Sequence, residues 1–169
     1  MGMEAVVYGF IQGPPWPHGV PNTYDAFSTH PEMQRMSMER DRKLTEKVRQ
    51  NLQAICALSE EDTWPFLSRS MFSSSTNSIQ TTYKSQIIHF GASFKEIEWV
   101  WEEWLTKFEA LLRSMYWDEV HLHLVSEAFN ASSFHYVWKD EGEEKAIYPD
   151  HADPVACWTF SGGPRTFPS

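Results

Sequence analysis

The chain lacks the short motifs that usually mark an enzyme. None of the GxSxG, P-loop, Rossmann glycine, HExxH or paired CxxC patterns occurs among its 169 residues. Each of these patterns places particular groups around a nucleophile, a phosphate or a metal ion. Without them there is no motif-based argument for hydrolase or nucleotide-binding chemistry. We therefore expect a protein that is not an enzyme, with no catalytic residues and no cofactor.

Cysteine is scarce and long apolar runs are missing. The two cysteines, Cys56 and Cys157, are far apart in apolar surroundings, which favours reduced thiols over a disulfide framework. No run approaches the ~20 apolar residues that a membrane-spanning helix needs. The first residues also lack the basic start and apolar segment of a secretory signal. These features predict a cytoplasmic protein with no membrane partner.

Basic residues are outnumbered, with 14 Lys and Arg against 23 Asp and Glu and a formal net charge of −9. Most of the acidic excess lies between Glu96 and Asp153. Such a surface repels a phosphate backbone, so nucleic acid is not an expected partner. Concentrated negative charge on a folded scaffold instead favours a cationic partner.

The order of elements predicts an α+β fold. A chain of this length suits a single domain, residues 1–169, and its apolar and aromatic content of 41% and 15% can fill a core. The predicted strands are 3–12, 79–90, 119–126, 133–139 and 155–160, with one long or two shorter helices over 31–58. We expect an antiparallel or mixed sheet with helices packed on one face.

The best-marked helix follows Ser93, which stands three residues before Glu96 as in a capping box. Its apolar stripe has the spacing of a helix packed on a core: Ile97, Trp101, Trp104, Phe108, Leu111 and Met115. We expect its carboxylates, a charged turn and one exposed tryptophan to contact a partner. These predicted contact residues are Glu98, Trp99, Glu102, Glu103, Glu109, Asp140, Glu141, Glu143 and Glu144.

Four histidines carry the alternative hypothesis. Alternation along the predicted strands places His89, His121, His123 and His135 on the sheet face that does not receive the helices, if those strands are neighbours. Converging imidazoles bind zinc, and an open coordination position permits catalysis. A small metal-dependent enzyme or metal-binding protein is therefore the competing interpretation, beside that of histidines on a half-exposed face.

Three segments resemble small cytosolic immunity proteins of bacterial polymorphic toxin systems. They are WPFLSRSMF (64–72), SQIIHFGASFKEIEWVWEEWLTKFEALL (85–112) and WTFSGGPR (158–165). The resemblance implies an antitoxin that binds one cognate toxin domain, often a basic nuclease or another toxic enzyme, and blocks its active site. It carries over no contact residues. The partner it implies, the C-terminal domain of a toxin used in competition between bacteria, agrees with the cationic partner that the charge favours.

Overall fold

A computed structural model describes residues 3–13, 31–73, 81–82, 85–138 and 158–168. The two α-helices are α1 (Pro31–Cys56) and α2 (Trp101–Arg113). The strands are β1 (Glu4–Gln12), β2 (Thr81–Thr82), β3 (Ser85–Lys95), β4 (Glu119–Ser126), β5 (Asn130–Trp138) and β6 (Trp158–Gly162). Short 3-10 segments cover Arg69–Met71 and Ile97–Val100. The described helices include none that is long and apolar enough to span a membrane.

The strands form one sheet in the order β2-β3-β1-β4-β5-β6, and every neighbouring pair is antiparallel. The predicted α+β class is therefore confirmed. Strands β1 and β4 are central, since they are the third and fourth of the six strands. Strand β4 begins and ends where the alternating pattern predicted, because VHLHLV buries every second residue against the core.

Helix α2 covers one face of the sheet with the apolar stripe that its sequence predicts. All six stripe residues, Ile97, Trp101, Trp104, Phe108, Leu111 and Met115, are buried. Their rings stack in series, with Trp101 and Trp104 at 5.2 Å between centroids and Trp104 and Phe108 at 5.1 Å. Rings of this stripe also meet rings of the sheet, with Phe108 and Phe90 at 5.1 Å and Trp101 and Phe134 at 5.2 Å between centroids.

The predicted capping box is wrong. Ser93 lies within β3, which pairs with β1 as far as Lys95 opposite Glu4. Glu96 then takes a left-handed conformation with φ of 59°, and its N–H donates to the Met3 carbonyl. Hydrogen bonds to β1 satisfy the backbone N–H groups that the cap was expected to satisfy. The helix therefore begins later, after the 3-10 segment Ile97–Val100.

Helix α1 is a single helix, and its C-terminal half packs on the same face through Val48 and Ile55. Buried Asn51 fixes its position. The Asn51 amide donates to Gln86 Oε1 at 3.0 Å and to the Tyr116 carbonyl at 2.7 Å, and its oxygen accepts from the Tyr116 N–H at 2.6 Å. One side chain thus links α1, the inner side of β3 and the connection from α2 to β4.

The segment between α1 and β2 is attached to α2 through Asp62. Its carboxylate accepts from the backbone N–H groups of Thr63 and Leu67 and, at 2.8 Å, from Lys107 Nζ. Partial burial alone would raise the pKa of Asp62, but these hydrogen bonds and the lysine charge outweigh it and lower the pKa. The ionised carboxylate therefore stabilises the fold.

Candidate functional site

The sheet face opposite the helices, here called the open face, carries large apolar side chains on the two central strands. Val6 and Tyr8 of β1 are 42% and 45% exposed, and Val125, directly across from Val6 on β4, is 41% exposed. A sheet face that meets only water usually presents polar residues. Apolar groups on central strands are instead typical of a contact surface.

All four predicted histidines lie on this open face, so their predicted placement is confirmed. Strand pairing aligns His89, Phe10, His121 and His135 in one row across β3, β1, β4 and β5. His123 belongs to the next row and stacks on Tyr8, with ring centroids 5.0 Å apart.

Two of the histidines converge on a carboxylate. The Nε2 atoms of His121 and His135 lie 2.6 and 2.5 Å from the same oxygen, Glu119 Oε1. Burial alone would raise the pKa of Glu119, but the hydrogen bonds from His121 and then His135 lower it. The three side chains are each about one-third exposed. They form a compact, solvent-accessible group, with an ionised Glu119 carboxylate, that could hold a metal ion.

The other two histidines are not part of this group. His123 Nδ1 lies 2.9 Å from Ser133 Oγ, and His89 meets the edge of Phe10 at 6.3 Å between centroids. Of the four imidazoles in the predicted set, His121 and His135 come together, and the third member of their group is Glu119. The sequence signal for Glu119 was its position two residues before His121 on one strand, which places both side chains on the same face.

The expectation that α2 and its 3-10 segment present four carboxylates to a partner is wrong for two of them. Glu98 is 2% exposed and accepts a hydrogen bond from Ser126 Oγ. Glu109 is 9% exposed. Glu102 and Glu103 are exposed as predicted. The negative surface of this helix is therefore about half as dense as its sequence suggests.

Glu109 is a structural residue. It binds the Arg165 guanidinium with both carboxylate oxygens, at 2.8 and 3.1 Å, and accepts from Tyr136 Oη at 3.0 Å. Hydrogen bonding to Glu109 raises the pKa of Arg165, while burial raises the pKa of Tyr136. The group therefore ties the C-terminal segment to α2 and β5.

Trp99 is 47% exposed, with its ring edge-on to Phe129 at 5.8 Å. The predicted contact residues Asp140, Glu141, Glu143 and Glu144 lie outside the described residues. A groove of about 490 Å³ is lined by Trp64, Phe66, Phe94 and the neighbouring ends of β1 and β3. Its lining is mostly apolar, and its polar residues are Ser93, Glu4 and Lys95, of which Glu4 and Lys95 are directly opposite each other on β1 and β3.

The three sequence segments 64–72, 85–112 and 158–165 meet in the folded chain. Phe66 of the first stacks on Phe94 of the second at 4.7 Å, and its carbonyl accepts from Trp104 Nε1 at 3.2 Å. Arg165 of the third binds Glu109 of the second. Their residues therefore build the scaffold around α2, whereas the Glu119 group lies outside all three.

Comparison with protein-family models, with curated proteins and with solved structures finds no match for this chain.

Proposed function

We propose that this chain is an immunity protein that binds a cognate bacterial toxin domain and neutralises it by covering its active site. The observation that carries the proposal is the open face, where Val6, Tyr8 and Val125 are exposed on the two central strands. Burying these side chains against a partner would stabilise a complex, because aromatic and aliphatic groups at the centre of an interface contribute most of its affinity.

The structural position of the three segments that resemble immunity proteins supports a binding role. The segments that resemble immunity proteins supply the aromatic layer and the Glu109–Arg165 pair, which are internal contacts. A rigid scaffold of this kind holds a contact surface in place without reorganisation on binding, and this preorganisation increases affinity. The toxin domain would therefore meet a preformed sheet face.

The negative charge of this chain favours a positively charged partner. With a net charge of −9, the protein attracts a cationic domain at long range. Such attraction raises the association rate above the ~10⁵–10⁶ M⁻¹s⁻¹ of uncharged pairs. Glu102 and Glu103 are exposed on the helical side, away from the open face, so they contribute to attraction rather than to the contact itself. The proposed place of action is the cytoplasm of the cell that makes the protein.

Co-expression tests the proposal. The gene is expressed together with the toxin C-terminal domain encoded beside it, and growth and co-purification are measured. We expect rescue of growth and a stable complex. Val125→Glu should abolish both, because it places an unpaired charge in the contact surface. Ala110→Glu, an exposed helical position, is the matched control and should leave both unchanged.

Glu102→Gln with Glu103→Gln separates attraction from contact. This double variant should slow association at low salt and leave the dissociation rate unchanged, because distant charges act mainly on encounter. Stopped-flow mixing of the purified partners measures both rates. Rescue that survives Val125→Glu would overturn the open face as the contact surface, and absence of binding to any adjacent toxin domain would overturn the function.

A further inference from the structure

The Glu119 group has the donor set of a metal centre. Two imidazole nitrogens and one carboxylate oxygen lie within 4.8 Å of one another on the open face. Imidazole and carboxylate together suit zinc and neighbouring divalent transition metals. We propose that Glu119, His121 and His135 bind one divalent transition-metal ion, with Zn²⁺ the preferred occupant. This inference is independent of toxin binding.

The backbone places all three ligands before any ion arrives. His121 and His135 are directly opposite each other on paired strands, with ring centroids 4.3 Å apart, and Glu119 is two residues away on β4. Phe10 of β1 stacks on His121 at 4.7 Å and limits the rotation of that ring. Ligands on paired strands hold their positions better than ligands on loops, so the protein loses little conformational entropy when the ion binds.

The side chains need only a small adjustment to hold an ion. Zinc bonds of ~2.0–2.2 Å in tetrahedral geometry place two ligand atoms about 3.3 Å apart. The two Nε2 atoms now lie 2.6 and 2.5 Å from Glu119 Oε1, so the ligands must separate by under about an ångström. Rotations about the side-chain bonds of Glu119 supply this shift without moving either strand. Each imidazole then carries its proton on Nδ1 and binds through Nε2.

The site would remain open on one side. Each ligand side chain is about one-third exposed, and the three ligands that the described residues supply leave a fourth tetrahedral position for water or for a group of another molecule. A closed structural zinc site has four protein ligands instead. The ion would therefore be exchangeable, and removing it would leave the buried core on the other side of the sheet unchanged.

Calorimetric titration of ZnCl₂ into the untagged, full-length protein, first treated with a chelator, tests the inference. We expect one ion per chain and a rise in melting temperature with the metal present. His121→Ala, His135→Ala and Glu119→Gln should each weaken binding at least about tenfold, since even outer-sphere changes cost 10–100-fold. His89→Ala and His123→Ala, histidines of the same face, are matched controls and should bind like the unchanged protein.

Cobalt gives a second measurement, a spectrum recorded at saturating metal, that reports the ligand set rather than the affinity. Co²⁺ in a four-coordinate site with imidazole ligands absorbs strongly in the visible range, and Glu119→Gln and His135→Ala should each change this spectrum. Circular dichroism confirms that every variant is folded, and His121→Asn replaces His121→Ala if the latter is not. The inference is overturned if the unchanged protein shows no saturable binding, or if the two control variants weaken binding as much as the ligand variants.

Discussion

Removal of Arg165 tests whether a buried ion pair secures the C-terminal segment. Arg165→Ala deletes two charge-assisted hydrogen bonds to the Glu109 carboxylate, whose side chain is 11% exposed. Among the described residues, the Tyr136 hydroxyl is the partner that remains. Breaking a buried pair costs ~3–5 kcal/mol. Because the Arg165 side chain is 39% exposed, water screens part of the interaction, and we expect a loss of ~2–3 kcal/mol.

Thermal and urea unfolding measure this loss. For a chain of this length, ~2–3 kcal/mol corresponds to a fall in melting temperature of about 5–10 °C. Arg165→Lys keeps the charge but loses the two-pronged geometry, so we expect an intermediate effect. Arg49→Ala is the control, because Arg49 pairs with Glu46 at 3.6 Å on the surface and such pairs contribute ~0–1 kcal/mol. Equal losses for Arg165→Ala and Arg49→Ala would refute the reasoning.

The remaining predictions concern packing and pH. A methyl group at Gly9 would lie 2.0 Å from a backbone oxygen of β4, so Gly9→Ala should cost ~3 kcal/mol or more in urea unfolding. Gly91→Ala is the control and should be tolerated, because the nearest atom recorded there is 3.4 Å away. Equal unfolding midpoints for the two variants would contradict this. Asn51→Ala leaves its backbone and side-chain partners without their bonds and should cost ~3 kcal/mol by the same measurement, a loss under ~1 kcal/mol being the contrary result. Since the pKa of Asp62 is lowered in the folded state, its contribution is present above the ordinary aspartate pKa and is lost as pH falls through the folded value. Asp62→Asn should therefore reduce stability at neutral pH and flatten the acid decline of the stability curve, and parallel curves would contradict the assignment.

The helical spacing of apolar residues and their alternation along strands predicted the helices and the sheet of this fold, because burial in the core determines both patterns. The stripe from Ile97 to Met115 is buried at every predicted position, and β4 has the predicted bounds. Strand β5 begins at Asn130, three residues before the predicted start. Strand β6 is described from Trp158 to Gly162, and the first residues of its predicted range lie outside the described part of the chain. Local pattern identifies which face is buried, whereas hydrogen-bond pairing decides where a strand stops.

The misplaced features depend on contacts between distant parts of the chain. Ser93 has the local sequence of a cap, but pairing with β1 keeps it in a strand. Glu109 is spaced like a surface residue of α2, yet Arg165 and Tyr136 come from segments far along the chain to enclose it. A helical projection cannot show a partner that lies 56 residues away. Carboxylates on an amphipathic helix are therefore an unreliable guide to surface charge when an arginine elsewhere can reach them.

On the open face, by contrast, a contact between neighbouring segments decides how the site is built. Alternation placed the four histidines on one face on the condition that their strands are neighbours, and the β4–β5 hairpin decides which of them meet. The turn at 127–129 ends at Asn130, whose φ of 62° is left-handed, a conformation that asparagine adopts more readily than most residues. It sets His135 opposite His121. A slip of one residue would turn His135 toward the core, because neighbouring residues of a strand point to opposite faces. The short turn and the burial of Phe134 and Tyr136 on the other side of the sheet together fix this register, and the register determines whether the open face has a Glu119 group.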